Sequence, residues 1–189
     1  MEAPPRNILL IGPGGVGKTT FGQRLAARLD LPFHDLDAIF CAQVLNIRRF
    51  IETRGYTAYA RRNGRLLVDL LEGATGPMVV ALSSGVLSAD MPEPLRSRLI
   101  AKVKQSGEAF LILPHTDDAT AAEIVAARQI TRGFGLRYEP EREKYLRRIR
   151  EYRQLGFREI IVPPEADGDT PLTASVNSQM TLRLIHEMT

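Results

Sequence analysis

Asn7-Ile8-Leu9-Leu10-Ile11 runs directly into Gly12-Pro13-Gly14-Gly15-Val16-Gly17-Lys18-Thr19, with Thr20 following. The second segment fits the pattern GxxxxGK[ST]. It follows an apolar run and precedes a helical pattern, which is the context in which that pattern binds phosphate. Glycine tolerates positive φ and lets the main chain approach closely, so successive backbone N–H groups can converge on phosphate oxygens. Gly12, Gly14, Gly15, Val16, Gly17 and Thr20 therefore read as nucleotide-binding positions, together with Lys18 and Thr19. The Lys18 ammonium would reach the β- and γ-phosphates, and the Thr19 hydroxyl would take a Mg²⁺ position. The helix starting there adds its positive end.

Outward from this loop, short apolar runs at 7–11, 31–35, 78–82, 109–113 and 159–162 read as strands. The spacing predicts helices over 18–29, 37–47, 57–71, 94–106, 117–128, 139–155 and 174–187. Strands alternating with helices point to an α/β fold, a three-layer arrangement with a parallel sheet between helices. The 189 residues contain no internal repeat, low-complexity tract or Pro/Gly/Ser-rich linker, so one domain over 1–189 is expected. PPEADGDTP, from Pro163 to Pro171, reads as a surface loop before a terminal helix.

With 44% hydrophobic and 25% charged residues the composition is that of a globular chain, which excludes disorder and fibrous repeats. No apolar run approaches the ~20 residues a membrane span needs, and MEAPPRNILLIG lacks a signal peptide's basic-then-apolar layout. A cytoplasmic protein with no membrane partner is expected. Cys41, the single cysteine, forms neither an internal disulfide nor a cysteine-rich metal site, and its apolar neighbours suggest that it packs as a small hydrophobe. His34, His115 and His186 show no metal-ligand spacing.

The net charge of +3 conceals 21 arginines against 4 lysines. Arginine suits a bidentate grip on phosphate and carboxylate, although a biased genome gives the same excess. So modest a total argues against a protein that coats nucleic acid. Residues 128–158 carry nine arginines and one lysine. The later part reads as a solvated helix with i to i+4 support such as Glu143 to Arg147. TRGFGLR, from Thr131 to Arg137, has two glycines in three residues, and an arginine-bearing loop hinged there could close over an anion. No NKxD-type guanine signature is present, and a chain this compact matches the small-molecule kinases better than a machine ATPase.

GPGGVGKTTFGQRLAARLDLPFHDLDAIF, from Gly12 to Phe40, resembles the opening of shikimate kinase: phosphate loop, first helix with an "LA..L" ending, then a strand running into Phe33-x-Asp35-x-Asp37. Weaker similarity continues through Phe50 to Tyr59, Ser83-Ser84-Gly85, the loop at Arg132, and RQLGFREI from Arg153 to Ile160. The resemblance implies the nucleoside-monophosphate-kinase-like P-loop fold, a five-stranded parallel sheet with an acceptor-binding helical segment about 37–64 and a lid about 129–138. It implies ATP and a small-molecule acceptor as partners, Mg²⁺ as cofactor, and a monomer. It makes Asp35 an outer partner of Mg²⁺, Asp37 the carboxylate that holds the acceptor hydroxyl, and Arg132 the lid arginine. It also makes Arg153 the grip on the substrate carboxylate, with Phe157 in place of the family's tyrosine. A strand-end carboxylate beside a phosphate loop can indeed accept a hydroxyl proton. The lesser alternative is that Asp35 and Asp37 merely cap the following helix; Arg128 and the Pro163-Pro164 loop are candidate neighbours of the base.

Two departures bear on the acceptor. Anchored on Gly55 and Tyr59, the family's "GE..FR..E" places its substrate arginine on Ala60 and its glutamate on Asn63. Arg61 could substitute only through a one-residue slip of register, which turns a helical side chain by about 100°. The family's triple glycine becomes Ser83-Ser84-Gly85, which narrows the site and offers new hydrogen bonds. The expectation is therefore ATP- and Mg²⁺-dependent phosphoryl transfer to a small anionic acceptor, with shikimate leading and Asp37, Arg61, Ser84, Gly85 and Arg153 as substrate contacts. The alternatives are a related kinase for another polyol, sugar acid or nucleoside, and a nucleotide- or metabolite-sensing protein that has lost turnover.

Overall fold

The computed structural model describes residues 6–132 and 135–163. Five strands, β1 (Asn7–Ile11), β2 (Phe33–Asp35), β3 (Val79–Ala81), β4 (Gly107–Leu113) and β5 (Arg158–Ile161), form a parallel sheet in the order β2-β3-β1-β4-β5. The expected α/β architecture is thus what the chain adopts. Ile8, Leu9 and Leu10 on β1 and Leu111, Ile112 and Leu113 on β4 have no exposed surface. Consecutive residues of a strand face opposite ways, so a continuous buried run requires cover on both faces of the sheet.

The cover comes from α1 (Lys18–Leu29), α2 (Leu36–Gln43), α3 (Ile47–Arg54), α4 (Tyr56–Glu72), α5 (Leu95–Ser106), α6 (Asp118–Ile130) and α7 (Tyr138–Arg153). The segment 37–47, expected as one helix, is two. The first ends at Val44, whose φ of −121° is not helical, and Asn46 starts the second by accepting the Arg49 N–H at 3.3 Å. Phe50 on α3 then meets Phe40 on α2 edge-on, ring centroids 5.3 Å apart. Cys41 is exposed rather than packed, because Leu36 and Phe40 take the buried face of α2. The helix expected over 174–187 and most of the loop after Pro163 lie outside the described residues.

Register sets up the site. Leu10, Ala81 and Asp35 are paired across β1, β3 and β2. Parallel strands end at a common edge, so two residues further on the chain delivers Gly12, Ser83 and Asp37 side by side. The strand order reverses around β1, and such a switch point leaves a crevice beyond the strand ends.

The β1–β4 pairing depends on Gly107, which faces Asn7 and would bring a Cβ to 2.1 Å from the Asn7 carbonyl oxygen. Gly107→Ala should therefore cost on the order of 3 kcal/mol of stability in urea denaturation. Gly76→Ala, whose Cβ would enter open space, should cost less than about 0.5 kcal/mol.

Candidate active site

The loop after β1 closes on three glycines with positive φ, Gly12 at 136°, Gly15 at 85° and Gly17 at 99°. Gly17 caps α1 without any side-chain bond, which leaves the first amides of the helix available to an anion. Lys18 is buried and donates from Nζ to the carbonyls of Gly12 at 2.8 Å and Pro13 at 2.9 Å. Burial brings its pKa down to about 8, against the opposing pull of the Asp37 and Asp35 carboxylates.

Asp35 divides its two oxygens. Oδ1 accepts the N–H groups of Asp37 at 2.9 Å and Ala38 at 3.2 Å, capping α2, while Oδ2 accepts the Thr19 hydroxyl at 2.6 Å. The cap and the link to the phosphate loop are therefore held by one side chain. Asp37 accepts the Ser83 hydroxyl on Oδ1 at 2.5 Å and lies 3.5 Å from the Tyr59 hydroxyl. Burial, reinforced by the Asp37 charge, holds the Tyr59 phenol well above its ordinary range, so it stays a donor. Tyr59 in turn accepts Asn63 Nδ2 at 3.2 Å.

Lys18, Thr19, Asp37, Ser84, Gln129 and Arg132 line one cleft of about 170 Å³. Gly15, Gly17, Thr20 and Arg132 also border a second hollow of about 410 Å³, which reaches Phe21, Arg128 and Pro163. Arg128 donates to the Gly15 carbonyl at 3.1 Å. The two spaces share the phosphate loop, which matches a phosphate chain in the first and a nucleoside in the second. Pro164 lies outside the described residues.

Two expected acceptor contacts are corrected. Arg61 is exposed and lines a separate hollow between α4 and α5 with Arg54, Arg65 and Arg98, a space that neither Asp37 nor Gly85 borders. Helical phase explains this: Ala60 and Asn63 are buried, and the residue between turns outward. Arg153 is held by Glu159 through Nε at 2.8 Å and by Asp118 through Nη1, so its charge is already paired with two carboxylates of the chain.

The arginine at the acceptor side is Arg148. It is buried, donates from Nη1 to the Ser84 hydroxyl at 3.2 Å, and would lie 3.5 Å from a Cβ on Gly85. Its Nη2 pairs with Asp90 at 2.9 Å. Tyr152, one turn along, donates to the Ser84 carbonyl at 2.9 Å. The Tyr56 hydroxyl fills the space over Gly85, 2.5 Å from where a Cβ would be. Arg148, Asp90, Tyr56 and Gln129 escape a reading of the sequence alone. One signal for Arg148 was there: an arginine with an aromatic residue four positions later occurs twice, as Arg153-Phe157 and as Arg148-Tyr152 with the tyrosine itself.

The chain is similar to known proteins over most of its length. The family model for shikimate kinase matches residues 14–160. A shikimate kinase of Stenotrophomonas maltophilia is 31% identical over 182 residues, covering 96% of this chain and 93% of that one. One of Bradyrhizobium diazoefficiens is 42% identical over 98 residues, 51% of this chain and 45% of that one. Among solved structures, the fold is similar to shikimate kinase from Acinetobacter baumannii in complex with shikimate, with a TM-score of 0.76, 22% identity, and coverage of 100% and 97%. A gluconokinase from Sinorhizobium meliloti gives 0.56 at 20% identity, over 96% of this chain and 93% of that one. The phosphate loop, the paired aspartates and the matched length together show that the chain belongs to the shikimate kinase family of ATP-dependent small-molecule kinases.

Proposed function

We propose that the protein transfers the γ-phosphoryl group of ATP to a hydroxyl of a shikimate-like ring acceptor bound between Asp37 and Arg148. The observation that carries this reading is that Lys18 and Asp37 line the same cleft, so a phosphate on the loop and a hydroxyl on the carboxylate would meet there. Lys18 exchanges its two carbonyl partners for phosphate oxygens and offsets the charge on the transferring group. Thr19 and Asp35, both oxygen donors beside the loop, suit Mg²⁺, which takes one or two protein oxygens and otherwise substrate phosphates. Held by these two residues, the ion would supply charge neutralisation for the transferring phosphate. Ser83 fixes Oδ1 of Asp37, which leaves Oδ2 to accept the hydroxyl proton. As that O–H bond breaks, the acceptor oxygen bonds phosphorus and the bond to the ADP oxygen is released. Arg132, bordering both hollows, adds positive charge from the lid side. This chemistry fits a cytoplasmic supply of ATP.

A coupled ADP-release assay with shikimate and other ring polyols tests the reading. Asp37→Asn should lower kcat by roughly 10²- to 10⁴-fold with ATP affinity kept within a few-fold, whereas Lys18→Ala should abolish ATP binding. ATP binding with no acceptor-stimulated ADP release across the panel would select the sensor alternative instead. Arg148→Ala should raise the acceptor KM by more than about tenfold, because it removes a charged hydrogen-bond donor, and Arg153→Ala should leave KM unchanged.

The lowered pKa of Lys18 gives a pH signature. The ammonium is present at pH 7 and is lost as pH rises through about 8, so ATP affinity of the free protein should fall above that point. Bound phosphate favours the charged form, and binding near pH 8 should take up a proton, which calorimetry in buffers of different ionisation enthalpy measures. Constant affinity between pH 7 and pH 9.5 would refute the assignment.

A further inference from the structure

We infer that the acceptor is an uncharged ring polyol, because the chain itself supplies the carboxylate that Arg148 would otherwise take from the substrate. This inference rests on the kinase reading above and concerns the far side of the same cleft.

Asp90 accepts Arg148 Nη2 at 2.9 Å and both terminal nitrogens of Arg147, Nη1 at 3.1 Å and Nη2 at 3.2 Å. Glu151 accepts Arg147 Nη1 at 3.1 Å and the backbone N–H of Ala89 at 2.9 Å. Two guanidinium groups thus face two carboxylates, which balances their charge and leaves Arg148 Nε as a buried donor without a hydrogen-bond partner. Asp90 is also tethered. Its N–H donates to the Ser88 hydroxyl at 3.3 Å, and that hydroxyl donates to the Gly85 carbonyl at 3.0 Å. The turn that carries the counter-ion is therefore the turn that borders the acceptor. Burial pushes the Asp90 carboxyl up, but the hydrogen bonds from Arg147 and Arg148 outweigh it and hold the group below its ordinary range, ionised at neutral pH.

Among the described residues, the other cations that border the cleft are Lys18 and Arg132, at its phosphate end. Ala60 is buried where the family pattern has an arginine, and Arg61 faces the separate hollow between α4 and α5. Asn63 stands in place of a glutamate and spends its amide on Tyr59. What the wall does offer is hydroxyl groups: Ser83 on Asp37, Ser84 on Arg148, and Tyr56 over Gly85. Hydroxyls both donate and accept, so they match a ring bearing several hydroxyls. An incoming carboxylate would have to lie beside Asp90 on the same guanidinium, where like charges disfavour each other. A neutral ring meets no such repulsion and leaves the network intact.

The test compares shikimate with its methyl ester, which keeps the ring and hydroxyls and removes the charge, in the coupled assay with the full chain, saturating ATP and Mg²⁺. The ester should show a kcat/KM at least about tenfold above that of the acid. Asp90→Asn, which frees Arg148, should shift the ester-to-acid ratio at least about tenfold toward the acid, chiefly through the KM of the acid. Thermal unfolding confirms that the variant is folded, and the wild-type ratio stands alone if it is not. Turnover of shikimate equal to or better than its ester in the wild type overturns this inference and leaves the kinase reading in place. A folded Asp90→Asn protein with an unshifted ratio also overturns it. No turnover of either compound, nor of uncharged cyclitols such as the inositols, with ATP still bound, overturns the kinase reading and this inference with it.

Discussion

The ammonium of Lys18 sits where little water reaches it, bonded to two backbone carbonyls and to no carboxylate directly. A buried charge is costly unless it is hydrogen-bonded and balanced, and much of the site can be understood as meeting that condition. The carbonyls come from Gly12 and Pro13, the first residues after the central strand of the sheet. The balancing charge comes from Asp35 and Asp37, which the sheet delivers only because β3 is inserted between β1 and β2. The order β2-β3-β1 places both carboxylates near the phosphate loop without letting either close on Lys18. Were one of them in direct contact, the ammonium would be neutralised by the chain rather than by phosphate.

The two halves of the cleft are built from different material. The phosphate half is mostly backbone: positive-φ glycines, the open end of α1, and carbonyls that release a lysine. Backbone geometry is fixed by the fold, and the requirement is satisfied by any sequence that keeps the glycines. Side chains make up the acceptor half, drawn from α4, from the turn after β3 and from α7, and each can change without disturbing the sheet. That separation accounts for a chain whose first 40 residues match the family pattern closely while Ala60, Asn63, Ser83 and Ser84 depart from it.

The same division governs what the sequence makes legible. β1 and α1 are found at the expected residues because an apolar run and a GK[ST] motif mark their ends. The break at Val44 is missed because no glycine or proline marks it, only the cap of Asn46 on Arg49. Arg61 follows from helical phase once Ala60 and Asn63 face inward. Arg153 misleads because two arginines five apart on α7 share the same downstream aromatic spacing, yet five residues turn a helix by about 140° from a whole number of turns. Which of them meets Gly85 depends on how α7 packs on the turn after β3, a contact made across more than 60 residues of chain. Asp90 is less visible still, since nothing local to SADMPEP distinguishes a counter-ion from a solvated carboxylate.

Ser83 shows why the departures need not amount to decay. A glycine there would leave Asp37 with the Tyr59 hydroxyl, at 3.5 Å, as its side-chain partner on Oδ1. The serine hydroxyl at 2.5 Å takes that oxygen and restrains the carboxylate at the edge of the cleft that Asp37 lines. Orientation of a base contributes to rate because the reacting atoms must meet within hydrogen-bond distance and alignment. Balancing the Lys18 charge asks only for the Asp37 charge, whereas holding a hydroxyl would also ask for the orientation that the Ser83 bond restrains. The replacement therefore adds a hydrogen bond to Asp37, while the uncharged Ala60 and Asn63 stand where the family pattern has charged residues. On the kinase reading proposed above, this combination fits an altered acceptor rather than an abandoned reaction.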